Sequence, residues 1–250
     1  MDPPSDRIRW AVPPRNLGYG SACEYGAGVE GANRYAFFNA DVDLGDDAID
    51  LCLHALDAPG VGISGPVLLQ RNGELQSGCG TWTPLLRSAR ASRWPVADVS
   101  RCEWVTGAAM FCRAQVVTEV GFDGSYFLGA EDADLCDRAA LRGWATVVVR
   151  DAQGYHRGGA TMTGGRWQYY TIRNRVWFLR KRRSRWAGWA YWVWSAFVLL
   201  PRVAVADTVK RRGYVLSYSA WRGLLDAATM LPPGRQPWAR EPVPAEWMPW

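Results

Sequence analysis

Trp104–Arg113 reads WVTGAAMFCR, and Val120–Val149 reads VGFDGSYFLGAEDADLCDRAALRGWATVVV. Val105–Cys112 is an apolar run that predicts a strand, and Ala114–Val120 predicts a short helix. From Glu131 to Arg142 the apolar residues Leu135, Ala139 and Leu141 fall roughly on one helical face, and Gly143 supplies the stop. Ala145–Val149 reads as a buried strand. Strands alternating with helices predict an α/β sandwich, a sheet between helical layers. The predicted helix at 131 opens with Glu131, Asp132 and Asp134, three carboxylates in four residues. Like charges packed this tightly cost stability unless something positive uses them.

Working outward, Asn16-Leu17-Gly18-Tyr19-Gly20 reads as a turn, with a short helix over Ser21–Val29. Arg34–Phe38 is a strand pattern, and Asn39-Ala40-Asp41-Val42-Asp43 follows it. Asp46–Leu56 has apolar residues at 48, 49, 52, 53 and 56, which is helical spacing with Asp46 or Asp47 as cap. Val61–Leu69 predicts another strand. Residues 71–100, rich in Gly, Ser, Arg and Pro, are expected to be loop. Beyond Gly165, Tyr169–Lys181 predicts a basic, aromatic helix. Trp186–Leu200 runs 15 residues without a charge, short of the ~20 that a membrane span needs. An interfacial or re-entrant helix is expected there, in preference to a true span, which would need extension past Pro201 and Arg202 to Ala206; a buried core helix is the further alternative. The domain plan is thus a main α/β domain over 1–180, basic and Trp-rich helices over 181–231, and an irregular tail over 232–250.

The chain has 250 residues, 48% of them apolar, a net charge of +5 and 15 tryptophans. Acidic residues dominate the first 140 positions, and basic ones cluster at Arg180–Arg183 with Arg185 and at Lys210–Arg212. Arginines beside crowded tryptophans point to anionic lipid at a cytoplasmic membrane face rather than to nucleic acid. The six cysteines form no C-x-x-C pair and are read as reduced thiols. MDPPSDRIRW lacks the apolar segment of a signal peptide.

Three constellations can carry chemistry. Asn39, Asp41 and Asp43 lie just past a strand end, where ligands bind in open α/β sheets. Their oxygens can hold a hard divalent cation, or else form a polar turn that caps the next helix. Asp132 at a helix start is held ionised by the helix dipole and can act as a base, or else the acidic run is a capping cluster with Asp134 paired to Arg138. His156, one of two histidines, is a metal ligand or a structural side chain. In this order the three groups are what a metal-dependent transfer from a nucleotide-activated donor needs.

These residues resemble the family 2 glycosyltransferases with the GT-A fold, in particular the rhamnosyltransferase-like and cell-wall glycan branch. NADVDL at 39–44 is similar to the N-P-D-V form of that family's DxD motif. GAAMFCR at 107–113 and VGFDGSYFLGAEDADLCDR at 120–138 resemble its acceptor-side segment, His156-Arg-Gly-Gly its H-x-G-G ending, and Tyr169-Tyr170 with Arg173-Asn174 the helix that follows. The resemblance implies a GT-A (Rossmann-like) mixed sheet and Mg2+ or Mn2+ held by Asp41 with His156. It implies Asp132 as the base of an inverting transfer, with Gly107, Ala108 and Glu131 on the acceptor side and Arg173 at the diphosphate. The donor would be a UDP-, dTDP- or GDP-sugar, and the acceptor a lipid-linked or cell-wall glycan. Two departures are visible. The family's opening strand with its T-Y-N-like end is not matched, which predicts an N-terminally truncated sheet with an exposed edge. No Q-x-x-R-W run is present, which predicts non-processive transfer. A reading of another class follows from the first departure: a catalytically inactive fragment acting as a membrane-bound partner.

Overall fold

A computed structural model describes residues 9–83, 89–158, 164–210 and 214–229. Helix α1 (Tyr19–Ala27) is followed by strand β1 (Arg34–Phe38), the short β2 (Val42–Leu44) and helix α2 (Ala48–Ala55). Next come β3 (Val61–Leu69), β4 (Leu75–Ser77), β5 (Cys79–Trp82), β6 (Ala89–Arg93), β7 (Val99–Cys102) and β8 (Ala109–Arg113). Helices α3 (Ala114–Glu119) and α4 (Glu131–Leu141), strand β9 (Ala145–His156) and helix α5 (Gly164–Arg182) complete the α/β part. Then follow α6 (Arg185–Trp194), a π-helical turn (Ser195–Leu199), α7 (Leu200–Val209) and α8 (Val215–Thr229).

The main sheet runs β1-β8-β3-β9-β2, with β4 added beside β3 and β7 beside β9. β3 and β9 are parallel, whereas β1/β8, β3/β8 and β2/β9 are antiparallel, so the sheet is mixed. Side chains alternate between its faces with the strand period of two. Met110, Cys112 and Val148 pack on one face with Leu135, Cys136 and Ala139 of α4. Phe111, Val147 and Val149 pack on the other with Ala48 and Cys52 of α2. Helices on both faces explain why 145–149 is apolar without alternation. Pro66, which lacks the ladder donor, sits where the β3/β9 register shifts between Pro66 and Val67, a bulge being the place a strand tolerates proline. At one edge of the sheet, β1 pairs with β8 alone among the described residues.

Several sequence expectations need correction. Residues 71–100 are not loop: β4, β5 and β6 lie within this stretch and β7 begins there. These strands are three to five residues long and polar, so cross-strand pairing rather than intrinsic propensity makes them strands. The strand at 145 does not end at Val149 but continues to His156, which puts that histidine on the sheet. Val105–Cys112 begins as a strand only at Ala109. Leu141, expected inward, is 74% exposed. The tail 232–250 and most of the second basic cluster, Arg211 and Arg212, lie outside the described residues.

The first basic cluster also has an unexpected role. Lys181 bridges to Asp123 at 2.6 Å, Arg183 to Asp137 at 2.8 Å and Arg182 to Asp137 at 3.4 Å. Arg180 donates to the Ala227 carbonyl and lies over the Trp189 ring. These cations staple α5 to α4 and α8. Helix α6 packs on α5, with Tyr191 and Trp192 sharing apolar clusters with α5 residues and the Trp192 indole donating to Leu224 O at 2.8 Å. Helix α7 is tied to α8 by buried Asp207, which accepts from the Ser217 N–H and hydroxyl. Arg185–Val209 forms one 25-residue helix long and apolar enough to cross a membrane by length and composition.

Candidate active site

The turn 106–108, just before β8, is the hub of the site. Gly107 N–H donates to Asp132 Oδ2 at 2.9 Å, and Ala133 N–H donates to Asp132 Oδ1 at 2.7 Å. The carbonyl of Gly107 accepts from the Tyr19 hydroxyl, and Ala108 O accepts from Asn39 N–H at 2.9 Å. Gly107 is required here because an added Cβ would lie 2.8 Å from the Tyr19 ring. Through Asn39 the hub reaches Asp41, whose carbonyl accepts from Arg157 N–H at 3.1 Å. Asp41 Oδ1 lies 3.2 Å from His156 Nε2. The strand-end acid, the acidic helix start and the histidine therefore meet at one end of the sheet.

Helix α4 begins in an unusual way. Phe127, Gly129 and Ala130 all have positive φ (67°, 86° and 79°). For non-glycine residues this conformation costs of order 1–3 kcal/mol each and persists only when the surroundings enforce it. The loop drops into the helix at Glu131, so Glu131 and Asp132 meet the positive end of the helix dipole. Burial raises the Asp132 pKa, opposed by the N–H donors of Gly107, Ala133 and Asp132 itself. Burial, then the neighbouring Asp132 charge, pushes Glu131 up to about 8. Glu131 Oε2 is buried without a hydrogen-bond partner among the described residues. Asp134, by contrast, pairs with Arg138 at 2.6 Å and accepts from the Tyr126 hydroxyl at 3.1 Å, so the sequence reading of Asp134 as a helix-stabilising partner is what the fold contains.

His156 is oriented by Gln76 of β4. The Gln76 amide donates to His156 O at 3.2 Å, which turns its carbonyl oxygen to His156 Nδ1 at 2.7 Å. Nε2 faces the Asp41 carboxylate on the other side of the ring, so the ring can donate to Asp41, or, with the proton on Nδ1, Nε2 and Asp41 would be the two atoms available to hold a cation. Among the described residues no group of three or more His, Cys, Asp or Glu side chains converges.

Beside Asp41 an open pocket of about 560 Å³ is lined by Ala40, Val42, Asp43, Arg71, Tyr155 and Arg157. Asp43 therefore faces the pocket on β2, opposite Tyr155. Arg173 does not reach the cleft. It is fully buried, with its guanidinium donating to Ser125 O and Tyr126 O and stacked 3.7 Å from the centre of the Trp177 ring. The expected diphosphate contact is replaced by a grip on the loop before α4. Sequence reading gave no role to Tyr19, Gln76 or Asn174, although it placed Tyr19 in the Asn16–Gly20 turn and Asn174 in the Arg173-Asn174 pair. Gly18 (φ 76°) is packed against Phe127 O, which explains why the Asn16–Gly20 turn needs its glycine.

Residues 40–235 match the model of the glycosyl transferase family group 2. The chain belongs to this family. Among curated proteins it is similar to N-acetylglucosaminyl-diphospho-decaprenol L-rhamnosyltransferase of Mycobacterium tuberculosis, in strains CDC 1551 / Oshkosh and ATCC 25618 / H37Rv. Each alignment is 29% identical over 137 residues, covering 47% of this chain and 45% of the relative, so the match spans less than half of the relatives' length. Among solved structures, GalNAc-T7 with UDP, GalNAc and Mn2+ aligns at a TM-score of 0.49 and 12% identity, over 63% of this chain and 34% of that one. The residues matched to the family, 40–235, include the hub around Gly107.

Proposed function

We propose that this chain is a metal-dependent inverting glycosyltransferase. It moves one sugar from a UDP-, dTDP- or GDP-sugar to a glycan carried on a lipid diphosphate or in the cell wall. The single observation behind this reading is the hydrogen-bonded run from Asp132 through Gly107 and Ala108 to Asn39 and the Asp41–His156 pair. Asp132 takes the proton of an acceptor hydroxyl as that oxygen attacks the anomeric carbon, while the bond to the diphosphate breaks on the opposite face. Raised by burial, its carboxylate is a stronger base than an exposed aspartate. Asp41 and His156 would hold Mg2+ or Mn2+, which when bound supplies positive charge against a diphosphate. The relatives' name, with its diphospho-decaprenol acceptor and rhamnosyl group, supports a polyprenyl-linked acceptor and a deoxyhexose donor.

We further propose that the helix Arg185–Val209 lies in the plane of a membrane, at its cytoplasmic face. Trp186, Val193, Phe197, Val205 and Val209 recur on its exposed side, and Arg185, Arg202 and Lys210 are exposed beside them. Both halves of the helix pack on domain helices, α6 on α5 and α7 on α8, which favours lying on the surface over crossing it.

The test is Asp132→Asn. Turnover should fall about 10²–10⁴-fold with the circular-dichroism spectrum and Mn2+ affinity retained; wild-type-like turnover would remove Asp132 from this role. Calorimetry with UDP, dTDP and GDP in the presence of Mn2+ should detect one of them. Binding of none would favour the inactive-partner reading instead.

A further inference from the structure

We infer that Arg173 and Asn174 are positioning residues that lock the loop 125–130 in the shape presenting Asp132 to the cleft. The inference rests on the reading of Asp132 as the base. Its ground is where the carbonyls of this loop go. Ser125 O accepts from Arg173, and Tyr126 O from both Arg173 and Asn174. Phe127 O accepts from Tyr19 N–H at 2.7 Å. Leu128 O and Gly129 O accept from the Asn174 amide, and Ala130 O from Asp134 N–H at 2.9 Å as the first turn of α4 closes. Every carbonyl from 125 to 130 is thus claimed, four of them by two adjacent side chains of α5.

That grip answers the strain. A loop with positive φ at Phe127 and Ala130 would relax if its carbonyls were free, since nothing in those residue types favours the left-handed region. Relaxation would tilt the start of α4, loosen Asp132 from Gly107 and admit water to Glu131. Arg173 and Asn174 are suited to the task because both are at most 2% exposed, and Arg173 is held flat against Trp177. Lys181, about two turns further along the same face of α5, fastens the loop at Asp123 and Ser125. The arrangement makes α5 the template on which the base is set.

The experiment uses the full chain with Arg173→Lys, Asn174→Ala, and Asn174→Ala combined with Ala130→Gly. Carboxyl 13C resonances of Glu131 and Asp132 are titrated, Mn2+ affinity is read by electron paramagnetic resonance, and melting temperature is recorded. A loosened loop hydrates Glu131, so its transition should drop by about one pH unit or more in both single variants. Mn2+ affinity should stay within about twofold, because Asp41 and His156 are fixed by β2, β4 and β9. Ala130→Gly, which removes the strain at that position, should return part of the Glu131 shift. A lowered melting temperature with an unchanged Glu131 transition would overturn the proposal and leave the two residues as scaffold. If Asn174→Ala does not fold, Arg173→Lys decides alone. Turnover surviving in Asp132→Asn would sink the base assignment while leaving the titration result intact.

Discussion

Glu131 is buried beside Asp132 with one carboxyl oxygen unpartnered among the described residues, and that has a consequence for stability. Its ionisable neighbours are Asp132 and Asp134 on α4 and Tyr19 and Cys23 on α1. Its pKa rises from 4.5 to about 8 on folding, so the folded state binds the proton more tightly. The stabilisation is therefore fully present below pH 4.5 and is lost as pH rises through about 8. Glu131→Gln cannot ionise and should flatten that decline. Urea midpoints measured across this range should converge toward or exceed wild type at the alkaline end; parallel curves would mean that Glu131 is not the group responsible. At this scale the sequence singled out Asp41, Asp132 and His156 by residue type and order, and the fold sets Asp41 3.2 Å from His156. The sequence did not carry Gln76, 80 positions from its partner His156, since only the pairing of β4 with β3 brings them together. Arg173 was misassigned for a related reason: an arginine in a motif suggests an anion, and only burial reveals that its partners are backbone carbonyls.

Helix α4 depends on one side chain more than its apolar face suggests. Arg138 pairs with Asp134 at 2.6 Å and also donates to Val120 O and Gly121 O, tying the helix to the end of α3. Arg138→Met removes the nearer cation from the buried Asp134, leaving Arg182 at 4.0 Å and the Tyr126 hydroxyl, and should cost about 3–5 kcal/mol in chemical denaturation. Adding Asp134→Leu should recover much of that loss; a double variant no more stable than the single would show that the carbonyl contacts dominate. Among the elements, β1, β3, α2 and α4 were readable from their periodicity within a residue or two. The strands between 75 and 102 were not, because their short polar sequences hold no pattern apart from their neighbours.

Across the whole molecule, the helices after α5 share clusters with it on one side and display aromatic and aliphatic side chains on the other. In-plane seating makes a direct forecast: sodium carbonate at high pH should release the protein from anionic vesicles, whereas a helix crossing the bilayer would stay in the pellet. Trp186→Ser with Phe197→Ser should weaken vesicle sedimentation about tenfold or more, given the apolar area withdrawn from lipid. The opposite end of the molecule poses a different problem. β1 offers its outer backbone edge to solvent among the described residues, and Phe38 on it is 43% exposed. Such an edge is a template for another strand. The shelf life of a purified sample will accordingly be governed by collision frequency rather than by melting point. Light scattering should grow steeply with protein concentration at a temperature where the fold is intact, and a proline at Ala36 should slow it, because Asn39 N–H donates to Ala108 O and the alternation of the strand then turns the Ala36 N–H outward.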